Sequence, residues 1–247
     1  MPVSQLERYA FSPHVAARRG SMKIAALVSL VVLSALIGSV SVWKGGRQRN
    51  GLNGQTLTVY CASGVMPAVS EIAEQYEREF GIHIELHPGS SGVLEQQLKQ
   101  SAKGDLYIPA GREPFLTRGR DEGYVHEILP LAQFRLVLAV APGNPSHIES
   151  LDDLLRDDVD TAIANEHAAV GKVTRQVLST WSGWEALEKR ATSKPTVTEV
   201  ATDVQLGVRV NAGLIWDANA KQLGLEIVDV PEIRDHADGT ATIAAGV

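Results

Sequence analysis

Apolar positions fall into two different periods along this chain. Leu57, Val59 and Cys61 alternate with Thr58 and Tyr60, the two-residue repeat of a strand, and Ala62, Ser63 and Gly64 break it. Val69, Ile72, Ala73, Tyr76 and Phe80 then share one helical face, and Gly81 stands where that helix must end. The plan repeats. Ile82, Ile84 and Leu86 predict a second strand, residues 88–92 a turn, residues 93–102 a helix with Leu94 and Leu98 on one side, and residues 106–108 a third strand. Strand, loop and helix in alternation predict a parallel sheet covered on both faces. Loops at the carboxyl ends of such strands line the crevice, which sets Ser63-Gly64 and Ser90-Ser91-Gly92 on one rim.

A buried strand over residues 134–141 stops at Pro142-Gly143-Asn144-Pro145, and the alternation starts afresh. Ser150, with Asp153 three residues on, is expected to cap a short helix through Leu155. A strand at 161–164, a loop at 165–171 and helices near 173–178 and 184–189 follow. Thr202-Asp203-Val204-Gln205 matches the capping-box pattern and predicts a helix starting there and running to Val210. Further strands are expected at 213–217, 225–230 and 240–245.

Upstream of residue 56 the pattern changes. Residues 24–43 carry no charge over about 20 positions, the length of a bilayer-spanning helix. Arg18, Arg19 and Lys23 before the run favour a cytoplasmic N-terminus. Ser39 and Ser41 are small enough for a peptidase site, but the run is long for a cleaved signal, so it reads as a retained anchor. The expected organisation is a basic cytoplasmic segment 1–23, an anchor 24–43, and a Gly-rich linker 44–55 ahead of the folded, exported part.

Charge limits the partners. Residues 1–49 hold seven Lys and Arg against Glu7 alone, leaving 16 bases and 28 acids in the rest of the 247-residue chain. That acidic body repels a phosphate backbone, which excludes nucleic acid and requires any bound anion to be held by local donors. Cys61 is the single cysteine, so neither an intrachain disulfide nor a thiolate metal cluster is available, and a half-buried free thiol is expected.

Catalytic motifs are wanting. Residues 89–92 have the wrong spacing for a nucleophile elbow, and Val170-Gly171-Lys172-Val173 lacks the first glycine and the hydroxyl residue of a phosphate loop. His83 and His87 lie on a strand, roughly 13 Å apart, too far to chelate together. His167 sits in a loop without a partner for catalysis. No enzymatic activity and no cofactor are expected. What remains is a set of loop-to-helix junctions after Ser63, Ser91, Gly171 and Thr202, where first-turn N–H groups can cage an anion without Arg or Lys.

These segments resemble, in order, the periplasmic molybdate- and tungstate-binding proteins of ABC importers, within the type II solute-binding fold. Residues 58–64 are similar to the family's first strand and oxyanion loop, Gly89-Ser90-Ser91-Gly92-Val93-Leu94 with Gln97 to its second loop, residues 104–108 to its next strand, residues 165–171 to its third loop, and residues 213–218 to its tyrosine-bearing strand. The resemblance implies an α/β protein of two lobes with a cleft between them, residues 56–134 with 227–247 forming lobe 1 and 135–226 lobe 2. It implies a monomer that captures molybdate or tungstate and docks on an importer permease. The ligand set it implies is Ser63 or Gly64, Ser90 and Ser91, Ala169 or Val170 through the backbone, Val204 at a capped helix start, and Trp216. Gly64 stands where the family has a serine and Trp216 where it has a donating tyrosine. Asp217 is a carboxylate that would repel an oxyanion or coordinate a metal centre. A helix following Val247 is also implied. Sulfate, a small organic anion, or a membrane-anchored sensor without transport are the alternatives.

Overall fold

One strand organises the molecule. In the computed structural model, which describes residues 55–247, β4 (Ile128–Val140) runs through two sets of strands and belongs to both. Its first part pairs with β9 (Thr240–Gly246), from Ile128 opposite Gly246 to Arg135 opposite Thr240. Its second part pairs with β7 (Ala212–Trp216), from Leu136 opposite Trp216 to Val140 opposite Ala212. A register shift between Pro130 and Ala132 marks the first part, where proline has no N–H for the ladder.

The first set adds β1 (Thr56–Ala62), β2 (His83–Gly89) and β3 (Leu106–Ile108), with helices α1 (Met66–Phe80), α2 (Ser91–Ser101) and α3 (Phe115–Asp121). The second adds β5 (Thr161–Ala164), β6 (Thr192–Lys194) and β8 (Glu226–Val228), with α4 (Ala169–Leu178), α5 (Trp184–Arg190), α6 (Val197–Leu206), α7 (Asp217–Gln222) and α8 (Pro231–Arg234). The strand order is β2-β1-β3-β9-β4-β7-β5-β6, with β8 on β4.

The expected parallel sheet exists only on the flanks. β1 is parallel to β2 and β3, and β5 to β6 and β7. At the centre β9 is antiparallel to β3 and β4, and β4 to β7 and β8. Direction explains this: β4 carries the chain out of the first set and β9 brings it back. Because β8 still pairs with Leu138–Val140, the return expected at residue 227 comes only with β9.

Periodicity located most elements. α1 ends at Gly81, whose φ of 68° is the left-handed form glycine takes without strain. Every residue of β5 and β7 is buried, as strands covered on both faces must be. β4 starts six residues before the expected 134, over a stretch that is mostly exposed. The turn expected at 88–92 is not there, because β2 continues to Gly89 and α2 begins at Ser91. Near Ser150 the cap works in reverse: the Asp153 carboxylate accepts from the N–H groups of Glu149 and Ser150, which holds it below the ordinary carboxylate range, and only a single turn, Asp152–Leu155, forms.

The largest departure is α6. It starts at Val197, where the Thr196 hydroxyl accepts from Glu199 N–H and donates to the Glu199 carboxylate, a capping box six residues upstream of the expected one. Val197, Val200, Ala201 and Val204 form its buried face, and Thr202 lies mid-helix. Cys61 is fully buried rather than half-buried, and desolvation pushes its thiol up to about 12. Among the described residues no helix is long and apolar enough to cross a membrane. The segment 24–43, the basic head and all but the last residue of the linker lie outside them.

Candidate functional site: a neutral cavity at three helix starts

The carboxyl ends of β1, β2 and β5 and the start of α6 meet at one small cavity. Ser63, Gly64, Ser90, Ser91, Ala169, Val170 and Trp216, all singled out from the sequence, line it, together with Ala168, Thr196 and Val197. The space for the centre of a water-sized body is about 10 Å³, within about 220 Å³ of empty space that includes the mouth. That room suits roughly one water, so the walls are closed tightly.

Each wall is a helix start. Ser90 precedes α2 in extended conformation, and its side chain makes no capping bond, so the first-turn N–H groups of α2 are not capped from within. Ala168 precedes α4 in the same way, with φ −86° and ψ 140°. Gly171 is required there: a β-carbon would lie 2.0 Å from the Asn165 carbonyl oxygen. α6 presents Val197 just after its Thr196 cap, and the loop through Gly64 leads into α1. The starts of α2, α4 and α6, with their partial positive charge, put Ser91, Ala169, Val170 and Val197 in a lining that, among the described residues, holds no charged side chain.

The side chains differ in what they have left to give. The Ser63 hydroxyl donates to the Gly89 carbonyl at 3.1 Å and the Ser63 N–H to the same oxygen at 2.9 Å, so that hydroxyl is already engaged. The Ser91 oxygen accepts from Ala110 N–H at 3.2 Å, which leaves its hydrogen to donate. The carbonyl of Ser91 accepts from the Tyr107 hydroxyl at 2.6 Å, fixing the start of α2. Trp216, the last residue of β7, is fully buried, and its indole N–H has no partner. A buried donor without an acceptor costs roughly 1–3 kcal/mol, and a ligand acceptor at the cavity would remove that cost.

Two of the expected residues stand elsewhere. Val204 lies in the last turns of α6 and packs on β7, where a β-carbon at Gly213 would meet its methyl at 2.8 Å; Val197 occupies the helix start instead. Asp217 opens α7 but turns away from the cavity, its carboxylate accepting from the N–H groups of Arg135 and Ala218 and pairing with Lys221 at 3.4 Å. It faces a second, larger depression of about 500 Å³ that also holds Arg135, Asp229, Arg234 and His236. Among the described residues no group of three His, Cys, Asp or Glu side chains is placed to hold a metal ion, so Asp217 lacks co-ligands of that kind. His83 pairs with Glu77 and His87 stacks on Tyr60 at 5.1 Å, both on β2 and remote in role from the cavity.

A family model, the bacterial extracellular solute-binding protein, matches residues 57–245, which includes every wall of the cavity. The chain belongs to this family. Over 168 residues it is 27% identical to the putative ABC transporter substrate-binding lipoprotein YvgL of Bacillus subtilis, covering 67% of this chain and 64% of that protein. Over 178 residues it is 22% identical to the molybdate-binding protein ModA of Mycobacterium tuberculosis, covering 71% of this chain and 66% of the relative. The chain therefore spans just under two thirds of the length of these curated relatives. The periplasmic molybdate-binding protein of Azotobacter vinelandii aligns with a TM-score of 0.63 at 19% identity, covering 77% of this chain and 84% of that one. That likeness is one of fold, and the mixed α/β architecture is that of periplasmic binding proteins.

Proposed function

We propose that the chain is the solute-binding component of an ABC importer and captures a small oxyanion, molybdate or tungstate first, in the cavity between the two strand sets. The observation that carries this reading is the meeting of three helix starts at an uncharged space, with the Ser91 hydroxyl and the Trp216 indole N–H free to donate. Backbone N–H groups at helix starts hold a dianion without a cation, so an acidic body and an anionic ligand are compatible. The two strand sets act as lobes that hinge on β4 and β9, the ligand favouring the closed arrangement. Membership of an extracellular family supports an exported protein; in this reading residues 24–43 are its anchor, and it acts as a monomer that delivers ligand to a permease. The relatives named for molybdate support that ligand, and the proposed cycle requires no catalytic step or cofactor.

Titration of the purified full chain with molybdate, tungstate, sulfate and phosphate, followed by heat and by tryptophan emission, tests the reading. The expected result is saturable binding of molybdate or tungstate at micromolar levels or below, with an emission change from Trp216. Absence of a saturable response to all four anions would sink the oxyanion assignment.

A further inference from the structure

We infer that Asn219 is a positioning residue that latches the two strand sets across the cavity by gripping the main chain at Gly64. It lies in α7 and is 4% exposed. Its Nδ2 donates to the Gly64 carbonyl at 3.0 Å, joining residues 155 positions apart on opposite sides of the hinge strands. Such an approach needs a residue without a side chain at 64. A β-carbon there would stand 2.6 Å from the Val197 Cγ1 and 3.1 Å from the Asn219 Oδ1. The amide orientation follows from the acceptor it meets, because reversing it would set two oxygens against each other. Gly64 therefore offers no side-chain donor, and its carbonyl is held directly.

A second bond crosses at another corner of the cavity. The N–H of Gly92, beside Ser91, donates to the carbonyl of His167, beside Ala168, at 2.8 Å. Both crossing bonds must break for the strand sets to part, and the Gly92 amide therefore reports on opening. Asn219 does not line the cavity, so it acts on the closing equilibrium rather than on the ligand. Its Oδ1 and the Trp216 indole N–H have no partners, and the bare face of Gly64 is bordered by that Oδ1 and by the Trp216 ring carbon Cδ1. The purpose of the latch rests on the solute-binding reading, whereas its existence has a readout that needs no ligand.

The test is amide hydrogen exchange by NMR on the full chain, comparing the natural protein with Asn219→Ala and Asn219→Asp, without ligand and with molybdate. Asn219→Asp keeps the shape and removes the donor. The expected result is Gly92 exchange about tenfold faster in both variants, with the amides of β5 and β7 unchanged, since losing one buried hydrogen bond shifts an equilibrium by about that factor. With molybdate, release should quicken about tenfold and association stay within about twofold. Unchanged Gly92 exchange in Asn219→Asp overturns the latch. Uniform acceleration of all core amides also overturns it, making Asn219 an ordinary packing residue. If Gly92 responds and the natural protein ignores molybdate, the latch stands and the ligand assignment falls.

Discussion

Two depressions of this molecule are opposites. The larger, of about 500 Å³, carries Arg135, Lys221, Arg234 and His236, whereas the smaller has no charged lining residue among those described. Formal charge would send an anion to the larger one. Yet Arg234 is engaged by Asp229 at 2.6 Å and by Asp235 at 2.9 Å, and Lys221 by Asp217 at 3.4 Å. The hydrogen bond from Arg234 holds the Asp235 carboxyl below its ordinary value. The small cavity instead keeps donors with nothing to donate to. An anion follows unengaged donors in a dry site more than it follows net charge at an exposed surface.

Perturbing one depression at a time sharpens the contrast. Ala169→Pro should have the largest effect: proline is tolerated at the first helical position, Ala168 already has the extended backbone it requires, and a single N–H is removed. Molybdate affinity should fall about tenfold to a hundredfold by calorimetry, since hydrogen bonds to charged groups are worth about 1.5–3 kcal/mol, while the melting temperature stays nearly constant. Gly64→Ser, which the family pattern suggests would add a donor, should instead destabilise the protein by about 1–3 kcal/mol in chemical denaturation and weaken binding. Adding Val197→Ala should relieve much of that, because the Val197 methyl is what the new β-carbon meets.

Trp216→Phe should weaken molybdate binding about tenfold, while on stability the loss of an unpartnered donor and the void left by the smaller ring act in opposite directions. Arg234→Ala, in the larger depression, should change affinity by less than about twofold. Least of all should pH matter: with no titratable side chain lining the cavity, molybdate affinity should be flat from about pH 6 to 9, the range in which a histidine would titrate. Affinity that changed strongly across that range would contradict the neutral cavity.

Much of this contrast is legible in the sequence, for a physical reason. Strands covered on both faces and an amphipathic helix ended by glycine leave local signals, so β1, α1 and β5 are readable from periodicity. The cavity residues Ser63, Gly64, Ser90, Ser91, Ala169, Val170 and Trp216 follow from loop position and family order. Val197 was missed because two capping boxes compete: Thr196 to Glu199 and Thr202 to Gln205 fit the same local pattern. The burial of Val197, Val200, Ala201 and Val204 against the sheet decides between them, and that spacing of apolar residues is the signal that would have found the true start. The first part of β4 is hidden for a different reason: its residues are exposed and its partner β9 lies over a hundred positions away, so no local pattern marks it. Asn219 left no signal at all, since its meaning depends on Gly64 across the cavity.

The central claim is that the anion sits in the small neutral cavity. Anomalous X-ray scattering at the molybdenum edge, from crystals of the full chain grown with molybdate, tests it most directly. The account predicts one strong peak within hydrogen-bonding reach of the Ser91, Ala169, Val170 and Val197 amides and beside the Trp216 indole. A peak among Arg135, Lys221 and Arg234, or none at saturating molybdate, would contradict it.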